Sequence, residues 1–166
     1  MHSKIFEVSE KPCPDDGQYT FSANDICDMM ADKGTGANYV RLLDGDSDLI
    51  NAVTDLMDIY PVGIDVNPVE STITITDKNL YFTETYHAFL NMVKSLFSTT
   101  LEQFIRKDLK LLGMTMYRLN EAYEGDYGYY VIDADTGILA TLDNFVRAAK
   151  TGKTYYINNV YDYHFR

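Results

Sequence analysis

The chain has no tryptophan, only two cysteines and four prolines in 166 residues, and its 14 basic residues are outnumbered by 25 acidic ones. Each shortage excludes something. Cys13 and Cys27 form no CxxC pair, so neither a disulfide framework nor a cysteine-based zinc site is expected, and a reducing cytoplasm is the expected compartment. No apolar run approaches the roughly 18 residues of a membrane-spanning helix, and the start Met1-His2-Ser3-Lys4-Ile5-Phe6-Glu7 has no signal-peptide core, so no membrane association or secretion is expected. Linkers rich in Gly, Ser or Pro are missing, as is any repeat of fixed period, which predicts one domain over residues 1–166. The scarcity of Lys and Arg removes the clustered positive charge that direct nucleic-acid binding requires.

What is present is a core-forming composition, 46% hydrophobic with 13% aromatic, and an uneven charge. The net of −11 divides into −2 over residues 1–24, −8 over 25–70 and −1 over 71–166. Within 25–70 the acids are Asp25, Asp28, Asp32, Asp44, Asp46, Asp48, Asp55, Asp58, Asp65 and Glu70, opposed only by Lys33 and Arg41. A block of this kind repels anions and favours basic partners, although a solvated face that keeps the protein soluble is the usual explanation of such an excess.

Periodicity supplies the elements. Lys4 to Val8 reads as a strand, followed by a proline-enforced turn over Lys11 to Gly17. Ser22 three residues before Asp25 has capping-box spacing, and Ile26, Met29 and Met30 give a helix one apolar face up to about Lys33, with Gly34-Thr35-Gly36 ending it. A strand over Tyr39–Leu43 precedes a second helix, capped by Ser47, that points Leu49, Ala52, Val53, Leu56, Met57 and Tyr60 inward and is stopped by Pro61. Ile64, Val66, Ile73, Ile75 and Leu80-Tyr81-Phe82 suggest three strands of a small meander.

Two long helices follow. The first carries Tyr86, Phe89, Leu90, Val93, Leu96 and Phe97; the second carries Leu101, Phe104, Ile105, Leu109 and Leu112 and extends past Gly113 toward Tyr123. A hairpin about Asp133-Ala134-Asp135-Thr136-Gly137, a helix capped by Thr141 and a strand from Tyr155 complete the chain. Without regular βαβ alternation, the expected fold is α+β: a single compact domain with an antiparallel or mixed sheet packed against about four to five helices.

Motifs that resemble chemical sites fail on inspection. Asp44-Gly45-Asp46-Ser47-Asp48 with Asp55 imitates a calcium loop, yet the required sixth-position glycine is Leu49 and the segment looks helical. The Asp135-Thr136-Gly137 triplet of aspartic proteases stands in a tight acidic turn, not after a long apolar strand. Gly152-Lys153-Thr154 lacks the upstream glycine of a phosphate-binding loop, since Arg147 holds that place. His2, His87 and His164 have no nucleophile in a recognisable context, so no catalytic residue, metal ligand or cofactor is expected.

The tyrosines are the second signal: nine of the 14 lie in residues 117–166. Alternating tyrosines either fill a core or anchor an interface. The expected function is therefore an acidic protein-binding module, with Asp25, Asp28, Asp32, Asp44, Asp46, Asp48, Asp55 and Asp58 meeting a basic protein surface. In a sharper form it is an inhibitor that mimics nucleic acid toward a DNA- or RNA-binding protein, because carboxylates at i, i+3 and i+7 stand in a row roughly 5 to 10 Å apart. The alternatives are a small enzyme with a pocket of Tyr, His and Asp, and a homo-oligomer joined through a tyrosine patch.

Overall fold

The computed structural model describes residues 2–12, 21–32, 37–60, 62–106, 109–125 and 128–165 and, within these, all side chains except those of 2, 38, 109–112 and 165. Cys13, the glycines at 34 and 36, Pro61, Asp126 and Tyr127 thus lie outside the described residues, as do the side chains of Leu109 and Leu112. Among the described residues seven strands and six helices follow one another as β1 (His2–Ser9), α1 (Ala23–Asp32), β2 (Ala37–Leu42), α2 (Asp46–Ile59), β3 (Ile64–Asn67), β4 (Thr72–Ile75), α3 (Lys78–Phe97), α4 (Leu101–Ile105), α5 (Leu109–Glu124), β5 (Tyr130–Asp133), β6 (Ile138–Thr141), α6 (Leu142–Ala148) and β7 (Thr154–Phe165). The fold is α+β around a mixed sheet. None of the described helices is long and apolar enough to cross a membrane.

The sheet runs β3-β4-β7-β1-β5-β6, with β2 as a further partner of β7. The twelve-residue β7 organises it. One edge of β7 pairs with β1, while the other pairs with β4 through Thr154–Tyr156 and with β2 through Tyr161–Phe165. Among the described strand pairs only β1 and β5 run parallel. A register shift opposite Glu7 and Val8 changes the alternation of β7, so Tyr155, Ile157 and Val160 share one face whereas Tyr161 and Tyr163 point to the other.

Both faces are covered, which explains the continuous burial from Ile5 through Val8. On one face Phe6, Val8, Ile73, Ile75 and Val131 meet Ala52, Val53 and Leu56 of α2 and Leu142, Phe145 and Val146 of α6. On the other, Ile5, Tyr130, Ile132, Tyr161 and Tyr163 meet Ile26 and Met30 of α1. The strand tyrosines therefore fill the core: Tyr130, Tyr155, Tyr161 and Tyr163 are buried.

Three expectations need correction. Leu80-Tyr81-Phe82 is the first turn of α3 and not a strand, because the Asp77 carboxylate accepts the Leu80 N–H at 3.0 Å and caps the helix. The second helix begins at Asp46 behind Gly45, not behind a Ser47 cap, which brings Asp46 and Asp48 into the first turn where the helix dipole favours carboxylates. The helix predicted from Leu101 onward is broken: α4 opens on a Thr100/Gln103 capping box and ends at Arg106, and α5 starts afresh at Leu109. That break accounts for six helices in place of four or five.

α3 and α5 form an antiparallel pair that stands apart from the sheet. No residue of α3 is buried, so the apolar stripe from Tyr86 to Phe97 meets α5 and solvent and not the core. This arm is fastened at its base, where Tyr81 and Phe82 touch the α2/α6 core and the Arg147 guanidinium lies 5.1 Å from the Phe82 ring centre and 5.3 Å from that of Tyr123.

Candidate functional site

All eight aspartates singled out from the sequence are exposed, and neither α1 nor α2 contains a lysine or arginine. The fold groups them in two sets. Asp25, Asp28 and Asp32 lie on α1, over the sheet face of Ile5 and Tyr161. Asp46, Asp48, Asp55 and Asp58 lie on α2, with Asp44 just before it, over the face of Phe6 and Val160. Because the sheet separates the two helices, the eight carboxylates do not form one surface.

Asp25 is also committed locally. Its Oδ2 accepts from the Ser22 backbone N–H at 2.7 Å and from the Ser22 hydroxyl at 2.6 Å, while Ser22 Oγ accepts the Asp25 N–H at 3.2 Å. These reciprocal bonds start α1, and the Ser22 hydroxyl holds the Asp25 carboxyl below its ordinary range. Asp28 and Asp32 make no hydrogen bond or ion pair among the described residues. Next to Asp28 in the chain, burial pushes the Cys27 thiol up and the Asp28 carboxylate adds to the shift.

The α2 set is larger and less committed. At 100° per residue, Ala52, Val53 and Leu56 occupy the buried side, Asp58 points outward, Asp48 and Asp55 share one flank, and Asp46 shares the other with the exposed Ile50 and Met57. Asp48 and Asp55 line a small cleft of about 190 Å³ with Lys4, Arg41 and Asn51. Lys4 is engaged there by Asp162, its Nζ lying 3.0 Å from Oδ1. Among the described residues no group of three or more His, Cys, Asp or Glu is arranged to hold a metal ion, and helix formation from Asp46 has spread the calcium-like carboxylates along α2.

Two larger clefts bear on the enzyme alternative. One, about 640 Å³, lies beside β5, β6 and α6 and includes Glu124, Asp133 and Asn144. The other, about 590 Å³, lies between the arm and the body, with Tyr81, Arg118, Glu121, Tyr129 and Asp143 in its wall. Among the described residues no histidine or cysteine lines either one. In the second cleft the Tyr81 hydroxyl donates to Asp143 Oδ1 at 2.6 Å, and the Tyr60 hydroxyl is buried nearby without a partner. Burial raises the Tyr60 phenol well above its ordinary range, with Tyr81 and Asp143 adding to the effect.

A buried carboxylate, Glu7, occupies the centre of the sheet. Its Oε2 accepts from the Tyr161 hydroxyl at 2.8 Å and from the Asn159 amide at 3.1 Å, and its Oε1 has no partner. The signal for it was a charged residue inside Ile5-Phe6-Glu7-Val8, a strand apolar on both sides. No comparable signal marks the arm–body cleft, whose walls come from α2, α3, α5, α6 and the loop before β5. Asp135-Thr136-Gly137 forms the β5–β6 hairpin turn, with the Gly137 N–H donating to Asp133 O at 2.7 Å and Gly137 at φ +70°. His87 is exposed on α3, and His164 is part of the β2–β7 pairing.

Comparison with known proteins gives no match to a protein-family model, to a curated protein or to a solved structure.

Proposed function

We propose that the protein is an acidic binding module that docks on a basic protein surface through α2 and the residues leading into it. The observation that carries this reading is the placement of Asp58 in the last turn of α2, where no basic residue of the helix offsets it, with Asp55 just before that turn. A carboxylate there opposes the helix dipole at a cost of about 0.3–1 kcal/mol, so helix stability does not account for it. Asp46 and Asp48, in contrast, serve the N-terminal turn. Ile50 and Met57, 46% and 44% exposed, give the same helix an apolar anchor between its charges, a combination suited to a protein partner.

In its nucleic-acid-mimicking form the reading uses one helix at a time, because α1 and α2 face away from each other across the sheet. The α2 carboxylates then take the place of phosphates toward lysines and arginines of the partner.

Capture of partners from lysate at low salt tests the reading with wild-type protein and with the double variant Asp55→Asn/Asp58→Asn. The wild type is expected to retain basic proteins that salt releases. The double variant should lose them while melting at the same temperature or slightly higher. Equal recovery by both proteins overturns the proposal.

A further inference from the structure

The arm carries an apolar surface that its own fold leaves open. Ten of the sixteen exposed large apolar side chains among the described residues lie between 78 and 124. Along one side of the α3/α5 pair, two adjoining clefts of about 340 and 450 Å³ share Phe89 and Tyr123 and form one groove, floored by Phe89, Leu96 and Leu119 and edged by Tyr86, Met116 and Tyr123. Phe97 at the end of α3 and Leu101 at the start of α4 are 87% and 74% exposed. Two helices with such a strip are half of a four-helix bundle, the arrangement in which antiparallel helical pairs bury apolar positions.

Charge identifies the occupant. Residues 78–124 hold six basic and five acidic side chains, a net of +1, and the rest of the molecule carries −12. Two copies repel one another wherever their bodies meet, and the near-neutral arm is the one large element through which they approach without that penalty. The arm is also polarised along its length. Its base (Lys78, Glu84, Arg118, Glu121, Glu124) has a net of −1, and the described charges of its other end (Lys94, Glu102, Arg106) have a net of +1. Antiparallel pairing sets the base of one arm against the tip of the other and matches these charges; parallel pairing opposes like with like. A basic partner, by contrast, is attracted to the body.

Size agrees. The 20 residues of α3 and 16 of α5 give a strip roughly 30 Å long and 20 Å wide. With side-chain relief this is comparable to the ~800 Å² per partner of a stable interface.

We infer that the protein forms an antiparallel two-fold dimer in which the α3/α5 arms of two copies close a four-helix bundle over the groove of Phe89, Met116 and Tyr123, holding the two acidic bodies at opposite ends. Met116, at the middle of α5 and 63% exposed, then lies near the two-fold axis and faces its own copy. This dimer does not rest on the α2 reading, and salt separates the two. Salt weakens docking of a basic partner but leaves the apolar bundle intact or tightens it by screening the repulsion between bodies.

Sedimentation equilibrium of the full chain over a concentration series, at low and high salt, tests the dimer. The expected mass is twice that of the chain, held or strengthened at high salt. Met116→Glu places two carboxylates against each other at the axis and is expected to give a monomer with unchanged melting at low concentration; Met116→Leu restores the dimer. For orientation, Tyr86→Cys and Phe97→Cys proteins, each also carrying Cys13→Ser and Cys27→Ser, are mixed and oxidised, and the Tyr86→Cys/Phe97→Cys disulfide should exceed the Phe97→Cys self-disulfide. A monomer at every concentration, a Met116→Glu dimer as tight as wild type, or preferential self-crosslinking at position 97 overturns the inference. Monomeric protein that captures an amphipathic helix of another protein in this groove does so too.

Discussion

The hydroxyl of Tyr81 donates to Asp143 Oδ1 at 2.6 Å and ties the first turn of the arm to the first turn of α6. Around it the Tyr60 ring stands edge-on to Tyr81 with centroids 5.5 Å apart, Arg147 sits between Phe82 and Tyr123, the Lys78 ammonium donates to Arg147 O at 2.7 Å, and the Thr141 hydroxyl donates to Glu124 O at 2.8 Å. Tyr81→Phe removes a hydrogen bond to a charged acceptor and is expected to lower stability by about 1–2 kcal/mol. Urea denaturation reads the loss. Hydrogen exchange should show it concentrated in α3 and α5, with β1 and β7 little changed.

Tyr60 behaves oppositely. Its hydroxyl is buried without a partner, so Tyr60→Phe discards an unsatisfied group and is expected to leave the urea midpoint unchanged or raise stability by up to about 1 kcal/mol. The alkaline limb follows from the same burial, which also raises the Tyr163 phenol, with Tyr130 contributing to that shift. The folded state keeps both phenolic protons above about pH 10, where the unfolded chain releases them. The contribution of these two phenols is therefore complete below that pH and is lost as pH rises beyond it, and Tyr60→Phe should fall less steeply than wild type.

The Ser22–Asp25 box predicts acid sensitivity in α1. With its carboxyl held below the ordinary range, Asp25 stabilises the fold above the unfolded-state pKa and loses that contribution as pH drops through the lower folded-state value. Ser22→Ala is expected to lower the melting temperature at neutral pH and to flatten its decline below about pH 4. An unchanged acid limb in Ser22→Ala contradicts this role.

Gly63 fixes the entry to α3. At φ +75°, its carbonyl accepts the N–H groups of Thr76 and Asp77, and a Cβ would stand 2.3 Å from Asp77 O. Gly63→Ala therefore displaces the residue that caps α3, and a loss of about 2–4 kcal/mol is expected in urea denaturation.

Much of the fold was legible in local pattern. The box at Ser22, the Thr141 cap, the hairpin ending at Gly137 and the apolar side of Ala52, Val53 and Leu56 are statements about neighbours in sequence, and each element forms where its pattern lies. The first turn of α3 reads as a strand in the sequence because Leu80-Tyr81-Phe82 is as apolar as one, and the cap from Asp77 distinguishes the two. The exposure of α3 was hidden for another reason: periodicity marks an apolar face without showing how far it is covered. The candidate surface was legible as composition but not as arrangement, since the sheet that parts α1 from α2 is assembled by β7, the last element of the chain.

The most direct test of the α2 reading is the salt dependence of affinity, measured by calorimetry for a captured basic partner with wild type and with Asp55→Asn/Asp58→Asn. The account predicts that wild-type affinity falls steeply as salt rises, and that the double variant binds at least about tenfold more weakly with a shallower slope. Indistinguishable affinities and slopes for the two proteins would contradict it.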